Sequence, residues 1–587
     1  MSRPLNVSQV SYRSLLVTYL RPQWRRTLIM AGLILAGIAL QLLNPQILRI
    51  FIDTVTSGGG GGMNTLTWIG VAFIVVALAI QGVSIAATYY SENVAWTATN
   101  QMRADLVAHC LALDLSFHKE RTAGELIEHV DGDVDTLSTF FSQSVIYLGG
   151  NFLLVLGIVV ILLLQNWLLG AALALFVVIA MLILNRIRIY AVPRWTEARQ
   201  QDAEFFGFLS EQLVGTEDVR ANGATGYVMR RFYLLLAKWF PISRRATMAG
   251  YSMWITTLTV FALGNAMALA LGGYLWSTHA ISLGTVYLVF YYVNLLNDPL
   301  DQIRSQLQEL QQAGAGIERV RQLLQTQPTM HDGTGKPLPE GALAVEFRKV
   351  TFGYGNDEPV LHDLNVHLQP GTVLGVLGRT GSGKTTLVRL LLRLYDVQQG
   401  EVRIGEVPVR EATLRDLRQH IGMVTQDVQL FHATVRDNLT FFNRTIDDER
   451  ILAVLADLGL LAWYTSLPNG LDTVLGSDGE GLSAGEAQLL AFTRVFLVNP
   501  GLVILDEASS RLDPATERLI ECAVSKLLHG RTAIMIAHRL ATVQRADEIM
   551  VLENGHIVEH GVRSDLAADA DSRFAHLLQT GLEEVRA

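Results

Sequence analysis

Over the first half of this 587-residue chain, long apolar stretches alternate with charged ones. Apart from His279, no Asp, Glu, Lys, Arg or His occurs in 54–91, 136–185 or 246–297, and a shorter clean stretch covers 27–48. A helix crosses the hydrocarbon core with roughly 20 apolar residues. The stretch 136–185 holds two such runs, 139–164 and 167–185, joined at Gln165-Asn166-Trp167. The stretch 246–297 holds two more, split near Ser277-Thr278-His279. With 27–48 and 66–90, the pattern predicts six spans. A lone apolar run is compatible with a buried helix of a soluble core; six in succession are not.

Between spans, 92–135 and 186–245 carry mixed charge with helical periodicity and few Pro or Gly breaks. They read as continuations of the spans beyond the bilayer, turning near 114–125 and 215–224. Before the first span, 12–26 is amphipathic, with Leu15, Leu16, Tyr19, Leu20 and Trp24 among arginines, as in an interfacial helix. A charged helix over 301–324 follows the last span. Pro328, Pro337, Pro339 and Gly341 then interrupt regular structure. From Ala344, alternating strand and helix patterns predict an α/β domain with a largely parallel sheet. The expected plan is an interfacial helix over 1–26, a six-span helical domain over 27–326, a linker over 327–343 and a nucleotide-binding domain over 344–587.

Charge orients this plan. Arg3, Arg13, Arg21, Arg25 and Arg26 precede the first span, whereas the turns at 54–65 and near 165 and 278 lack Lys and Arg. The positive-inside rule places both termini in the cytoplasm. A net charge of −9 argues against a general nucleic-acid binder. Cys110 and Cys522 both fall on the cytoplasmic side and are expected as plain thiols. The spans offer almost no charge until Asp298 and Asp301. What remains for a central cavity is aromatic and amide: Tyr89, Tyr90, Tyr147, Asn151, Trp254, Asn265, Tyr291, Tyr292 and Asn294. That favours an amphipathic or apolar cargo.

The most specific chemistry lies at 378–385. Gly378-Arg379-Thr380-Gly381-Ser382-Gly383-Lys384-Thr385 fits Gly-x-x-x-x-Gly-Lys-Thr, between the apolar run 373–377 and a helical run beginning at Thr386 and Leu387. This strand, glycine turn and helix is the context a phosphate-binding loop requires. Its amides point at phosphate oxygens and the helix N-terminus adds positive potential. Lys384 would reach the β- and γ-phosphates and Thr385 would ligand Mg²⁺. Further on, the strand 501–505 ends in Asp506-Glu507. There Asp506 would hold Mg²⁺ through water and Glu507 would polarise the attacking water.

Just upstream stands Leu482-Ser483-Ala484-Gly485-Glu486, opening another helical run. The order of phosphate loop, glutamine, Ser-x-Gly element, Asp-Glu and histidine resembles an ATP-binding cassette (ABC) transporter. The six preceding spans with long extensions resemble its exporter class. The resemblance covers the chain from the interfacial helix to about Gly561. It implies that Tyr354 stacks on adenine. It implies that Gln426 senses Mg²⁺ and the γ-phosphate, that 510–513 communicates between paired cassettes, and that His538 contacts the γ-phosphate. It also implies that Ser483 and Gly485 grip ATP held by a second subunit. The chain is then half of a transporter. It works by alternating access, with Phe117 and the turn around Val219 as candidates for seating in cassette grooves.

Two departures matter. The usual element is Leu-Ser-Gly-Gly-Gln, whereas Ala484 and Glu486 occur here. The stretch 476–481 only loosely matches the usual Gly-Glu-x-Gly. In asymmetric exporters, one subunit often keeps the catalytic set with an altered signature and its partner the reverse. A heterodimer is therefore expected over a homodimer. The expected function is ATP-driven export of a drug or lipid across a bacterial inner membrane. An importer of exporter shape, or a transporter of peptide or siderophore, is the alternative.

Overall fold

The computed structural model describes residues 17–56, 62–139, 148–355, 358–476, 482–506, 514–536 and 543–580, and within these the side chains outside 139, 304–313, 514–515 and 580. The chain divides into two units: Met1–Leu111 with Ala123–Thr326, and Ala112–Thr122 with Gln327–Ala587.

The first unit is helical. Among the described residues, five helices are long and apolar enough to cross a membrane: Val17–Thr56, Met63–Ala112, Leu148–Gln165, Trp167–Val214 and Thr225–Ser277. The longest, at 53 residues, measures about 80 Å at 1.5 Å per residue, far beyond a core of about 30 Å. The sixth expected span is the helix Leu283–Leu295, which turns at Leu296 and continues as the charged helix Asn297–Gln325. Trp167–Val214 and Thr225–Ser277 are joined by the short helix Thr216–Ala221. They are tied along their polar lengths. The Trp239 indole donates to Asp202 at 2.5 Å, Lys238 pairs with Glu204 at 2.9 Å, and the Trp195 indole donates to the Ala246 carbonyl. In the apolar part, glycine lets helices approach. A Cβ on Gly264 would stand 2.5 Å from Phe176, and one on Gly284 2.5 Å from the Arg49 carbonyl.

That second approach exposes a pair outside the expected first span. The first helix runs on through Arg49 and Asp53 to Thr56. The Asp53 carboxylate accepts from the Gly284 amide and the Ser282 hydroxyl, each at 2.8 Å, at the start of Leu283–Leu295. Helix starts leave amides without intrahelical acceptors, and Asp53 supplies one from another element. Nearby, the buried Tyr292 hydroxyl donates to the Leu42 carbonyl and accepts from Gln46. Tyr292, a candidate for lining a cargo cavity, is thus an interhelical tie.

Among its described residues the second unit holds two sheets. The larger follows the order β10-β9-β3-β8-β7-β6, built from β3 (Val373–Leu377), β6 (Ile421–Val424), β7 (Leu502–Asp506), β8 (Thr532–Ile536), β9 (Glu548–Glu553) and β10 (His556–Val562). Its pairings are parallel except β9 with β10. The near-continuous burial of β3, β7 and β8 suits strands covered on both faces. The smaller sheet is antiparallel, in the order β2-β1-β4-β5, from β1 (Val345–Phe352), β2 (Leu361–Leu368), β4 (Gln399–Ile404) and β5 (Val407–Pro408). The largely parallel reading therefore holds for the larger sheet only. The 353–360 connection is too short for the crossover a parallel pair needs.

At the start of its longer piece, residues 327–343 have no regular secondary structure but are stitched to the rest of the second unit. Asp332 accepts from the Leu414 amide, Asp416 from the Leu338 amide, and Arg393 donates to the His331 carbonyl. Asp114, ahead of the helix Leu115–Glu120, accepts from the Thr329 amide at 2.5 Å and its hydroxyl at 2.6 Å.

Candidate nucleotide site

The neighbouring parallel strands β3, β8 and β7 end together, and the residues at their carboxyl ends face one cleft. After β3 the backbone curls through three glycines. Gly378 has φ +153°, and a Cβ there would lie 2.2 Å from the Leu552 carbonyl oxygen. Gly381 and Gly383 sit at φ +84° and +106°, where side chains are strained. The Gly555 amide donates to the Ser382 carbonyl, holding the curl against the β9–β10 turn. The helix Lys384–Leu391 then begins with no side-chain cap. Its first amides therefore have no acceptor within the helix.

Lys384 folds back, donating to the Gly378 carbonyl at 2.5 Å and the Arg379 carbonyl at 2.9 Å. The ammonium is held over the loop it would leave to meet a phosphate. The buried Ser382 hydroxyl has no hydrogen-bond partner among the described residues. A tight glycine cradle, a helix start, a lysine and an orphaned hydroxyl are together the donor set a phosphate chain requires.

The cleft beside this loop encloses about 580 Å³. Thr380, Gly381, Gly383, Lys384, Thr385 and Thr386 line it, together with Tyr354, Arg389, Gln426 and Asp506. Residues far apart in sequence thus converge on one cleft. The Thr385 hydroxyl, the Gln426 amide and the Asp506 carboxylate are hard oxygen donors on one cleft, the chemistry that suits Mg²⁺. Glu507 and His538 lie outside the described residues, as do 510–513 and Tyr147. The strands that lead to the first two end at Asp506 and Ile536, both of which line the cleft.

Tyr354 lines the cleft beside the phosphate-loop helix. Its ring meets Phe352 and Tyr395 edge-on, with centroids 5.1 Å apart in each case. Its hydroxyl lies 3.0 Å from the Thr386 hydroxyl and receives an Arg389 guanidinium bond at 3.1 Å. Arg389 was not among the expected site residues. It lies three residues beyond Thr386 on one helix face, which is the signal that could have found it.

Ser483 and Gly485 stand apart from the cleft, at the start of the helix Ala484–Val498. Ser483 is exposed and Gly485 buried, where a Cβ would lie 2.1 Å from Thr516. The Glu486 carboxylate accepts from the Ser483 amide and the Ser483 hydroxyl, both at 2.8 Å. The Ser483 oxygen in turn accepts from the Glu486 amide. This is a reciprocal capping box, and here it engages the hydroxyl proton of Ser483.

Residues 361–510 match the ABC transporter family and residues 27–300 match the ABC transporter transmembrane region. An ATP-dependent lipid A-core flippase of Burkholderia pseudomallei is 30% identical over 91% of this chain and 89% of its own. A fatty acid ABC transporter ATP-binding/permease protein of Mycobacterium bovis is 31% identical over 80% of this chain and 74% of its own. Among solved structures, a bacterial Atm1-family ABC exporter with ATP bound superposes with a TM-score of 0.76. It is 26% identical and covers 95% of this chain and 98% of that one.

Proposed function

The chain belongs to the ABC transporter family, as an integral-membrane half-transporter of exporter type whose ATPase drives transport and which pairs with a second ABC subunit. From that premise we propose that it exports a small amphipathic or apolar molecule, a drug or lipid, as one half of a heterodimer in a bacterial inner membrane with both termini cytoplasmic.

On this reading Tyr354 stacks on adenine. The 378–386 loop and helix start hold the phosphates, with Lys384 leaving its own carbonyls for the β- and γ-phosphates. Thr385, Gln426 and Asp506 hold Mg²⁺, which when bound neutralises charge on the phosphate oxygens. Glu507 orients water for in-line attack on the γ-phosphorus, and His538 contacts the γ-phosphate. Water adds as the β–γ bridge breaks, giving ADP and phosphate. ATP clamped between two cassettes closes them and turns the cavity outward, and hydrolysis resets it.

Two features support the finer claims. Asn265 and Asn294 exchange amide hydrogen bonds at 3.1 and 3.0 Å, with Asn294 exposed and Asn265 half-buried in this chain. Exposed amides at span depth are costly against lipid, so the pair suits a water-accessible cavity and a polar group on the cargo. The flippase and fatty acid transporter names agree with an amphipathic cargo.

The observation that carries the heterodimer is the Ser483–Glu486 capping box. The serine that would grip a partner's ATP already gives its proton to an acid of its own chain, and a carboxylate sits where a polyanion must approach. The site completed by this signature is therefore the weaker of two. The test is Mg-ATP hydrolysis in lipid nanodiscs by the chain alone, beside Glu507→Gln. Little hydrolysis from a folded, ATP-binding chain is expected. Robust hydrolysis abolished by Glu507→Gln would establish a working homodimer and remove the heterodimer.

A further inference from the structure

The helix Leu115–Glu120 belongs to the same unit as the cassette. Asp114 fixes its start to Thr329. At its end, the Lys119 ammonium lies 4.1 Å from the centroid of the Tyr354 ring. That is cation–π contact with one face of the ring. The ring itself is not free to swing away. Phe352 and Tyr395 meet it edge-on, Arg389 donates to its hydroxyl, and the hydroxyl lies against Thr386. Lys119, by contrast, is exposed and sits on a flexible four-carbon stem. Of the two partners, the lysine is the one that can leave.

We propose that Lys119 is a displaceable cover on the adenine-stacking face of Tyr354, so that the nucleotide base and the 112–122 turn compete for one ring. The inference rests on the reading that Tyr354 stacks adenine. A stacked base lies against the ring at van der Waals distance and leaves no room for an ammonium on that face. Base binding therefore releases Lys119 while Asp114 keeps the turn attached. The turn is continuous with the helix Met63–Ala112, so occupancy of the base subsite is felt by a span before any phosphate chemistry. Arg389 and Thr386 pass the same event to the phosphate-loop helix through the Tyr354 hydroxyl. Lys119 is a positioning residue in this scheme, acting through Tyr354.

The test uses the full chain in nanodiscs and measures ATP affinity by calorimetry without Mg²⁺, so that hydrolysis does not intervene. Four forms are compared: the native chain, Lys119→Met, Lys119→Arg and Tyr354→Leu. Inorganic tripolyphosphate serves as a ligand without a base. Loss of a cation–π contact predicts ATP binding about threefold to tenfold tighter for Lys119→Met. Lys119→Arg stays near the native value, and tripolyphosphate binding is unchanged by either substitution. Unchanged or weaker ATP binding by Lys119→Met, with Tyr354→Leu weakening it, overturns the competition but leaves the stacking reading intact. ATP binding indifferent to Tyr354→Leu overturns both. Tighter tripolyphosphate binding in Lys119→Met would show an effect that needs no base and also overturns the proposal.

Discussion

At the first turn of the signature helix, the Glu486 carboxylate engages both donors of Ser483. A glutamine there still accepts through its amide oxygen, completing the box, but brings no charge. Glu486→Gln is expected to raise ATP turnover of the assembled transporter up to about fivefold, the most that removing one solvent-screened like charge is worth, with no change in the ATP affinity of this chain alone. Turnover at saturating ATP in nanodiscs checks it. Gly378 has a different failure mode. In Gly378→Ala the new methyl would meet the Leu552 carbonyl at 2.2 Å, so the loop must shift. Nucleotide affinity is expected to fall more than about tenfold while the thermal midpoint of the transmembrane unit barely moves. Such glycines were legible in the sequence because the motif fixes their spacing. Arg389 was marked only by its place three residues beyond Thr386 on one helix face; the tyrosine it meets is set by how the turn after β1 folds beside that helix.

Elements are tied by a few buried polar groups, and these were the hardest part to read. Asp133 is buried at 2% exposure and holds Arg319 of the helix Asn297–Gln325 with two contacts at 2.9 and 3.2 Å and a third from the guanidinium terminus. His129, within the π-helical turn Glu128–Gly132, adds a bond at 2.8 Å. Burial alone would raise the Asp133 pKa; the hydrogen bonds from Arg319 and then His129 outweigh it and hold the carboxyl below its usual range. A depressed folded pKa means stability that is full above the unfolded value near 4 and is lost as pH falls through the folded value. Asp133→Asn takes the carboxylate from a half-exposed Arg319 and is expected to cost roughly 1–3 kcal/mol at neutral pH, the worth of hydrogen bonds to a charged group. The gap from the native chain should shrink below about pH 4. Detergent-solubilised unfolding followed at pH 7 and pH 3.5 reads this directly. A gap equal at both values would show that the carboxylate charge is not what ties these helices. The spans themselves were legible because twenty apolar residues in a row have few other uses. Arg49 and Asp53 were set outside the first span by their charge, and only the approach of Gly284 shows why that helix continues through them.

At the scale of the molecule, the two halves of the chain were readable for different reasons. The membrane half announces itself by what it lacks, charge over long stretches; the cassette announces itself by motif order. Neither property gives sidedness, for which the distribution of arginines is the argument. Cys522 offers a direct check, because it is exposed on the helix Pro514–Leu528 whereas Cys110 is buried. A membrane-impermeant maleimide should label Cys522 in inverted inner-membrane vesicles and leave it unlabelled in intact spheroplasts, with Cys522→Ser removing the signal. Labelling from the outer side would place the cassette outside the cytoplasm, away from its ATP, and the positive-inside assignment would fall. If labelling in vesicles is slowed by ATP in the assembled transporter but not in the chain alone, the helix closes off as the cassettes pair. The second subunit is then what turns nucleotide binding into motion.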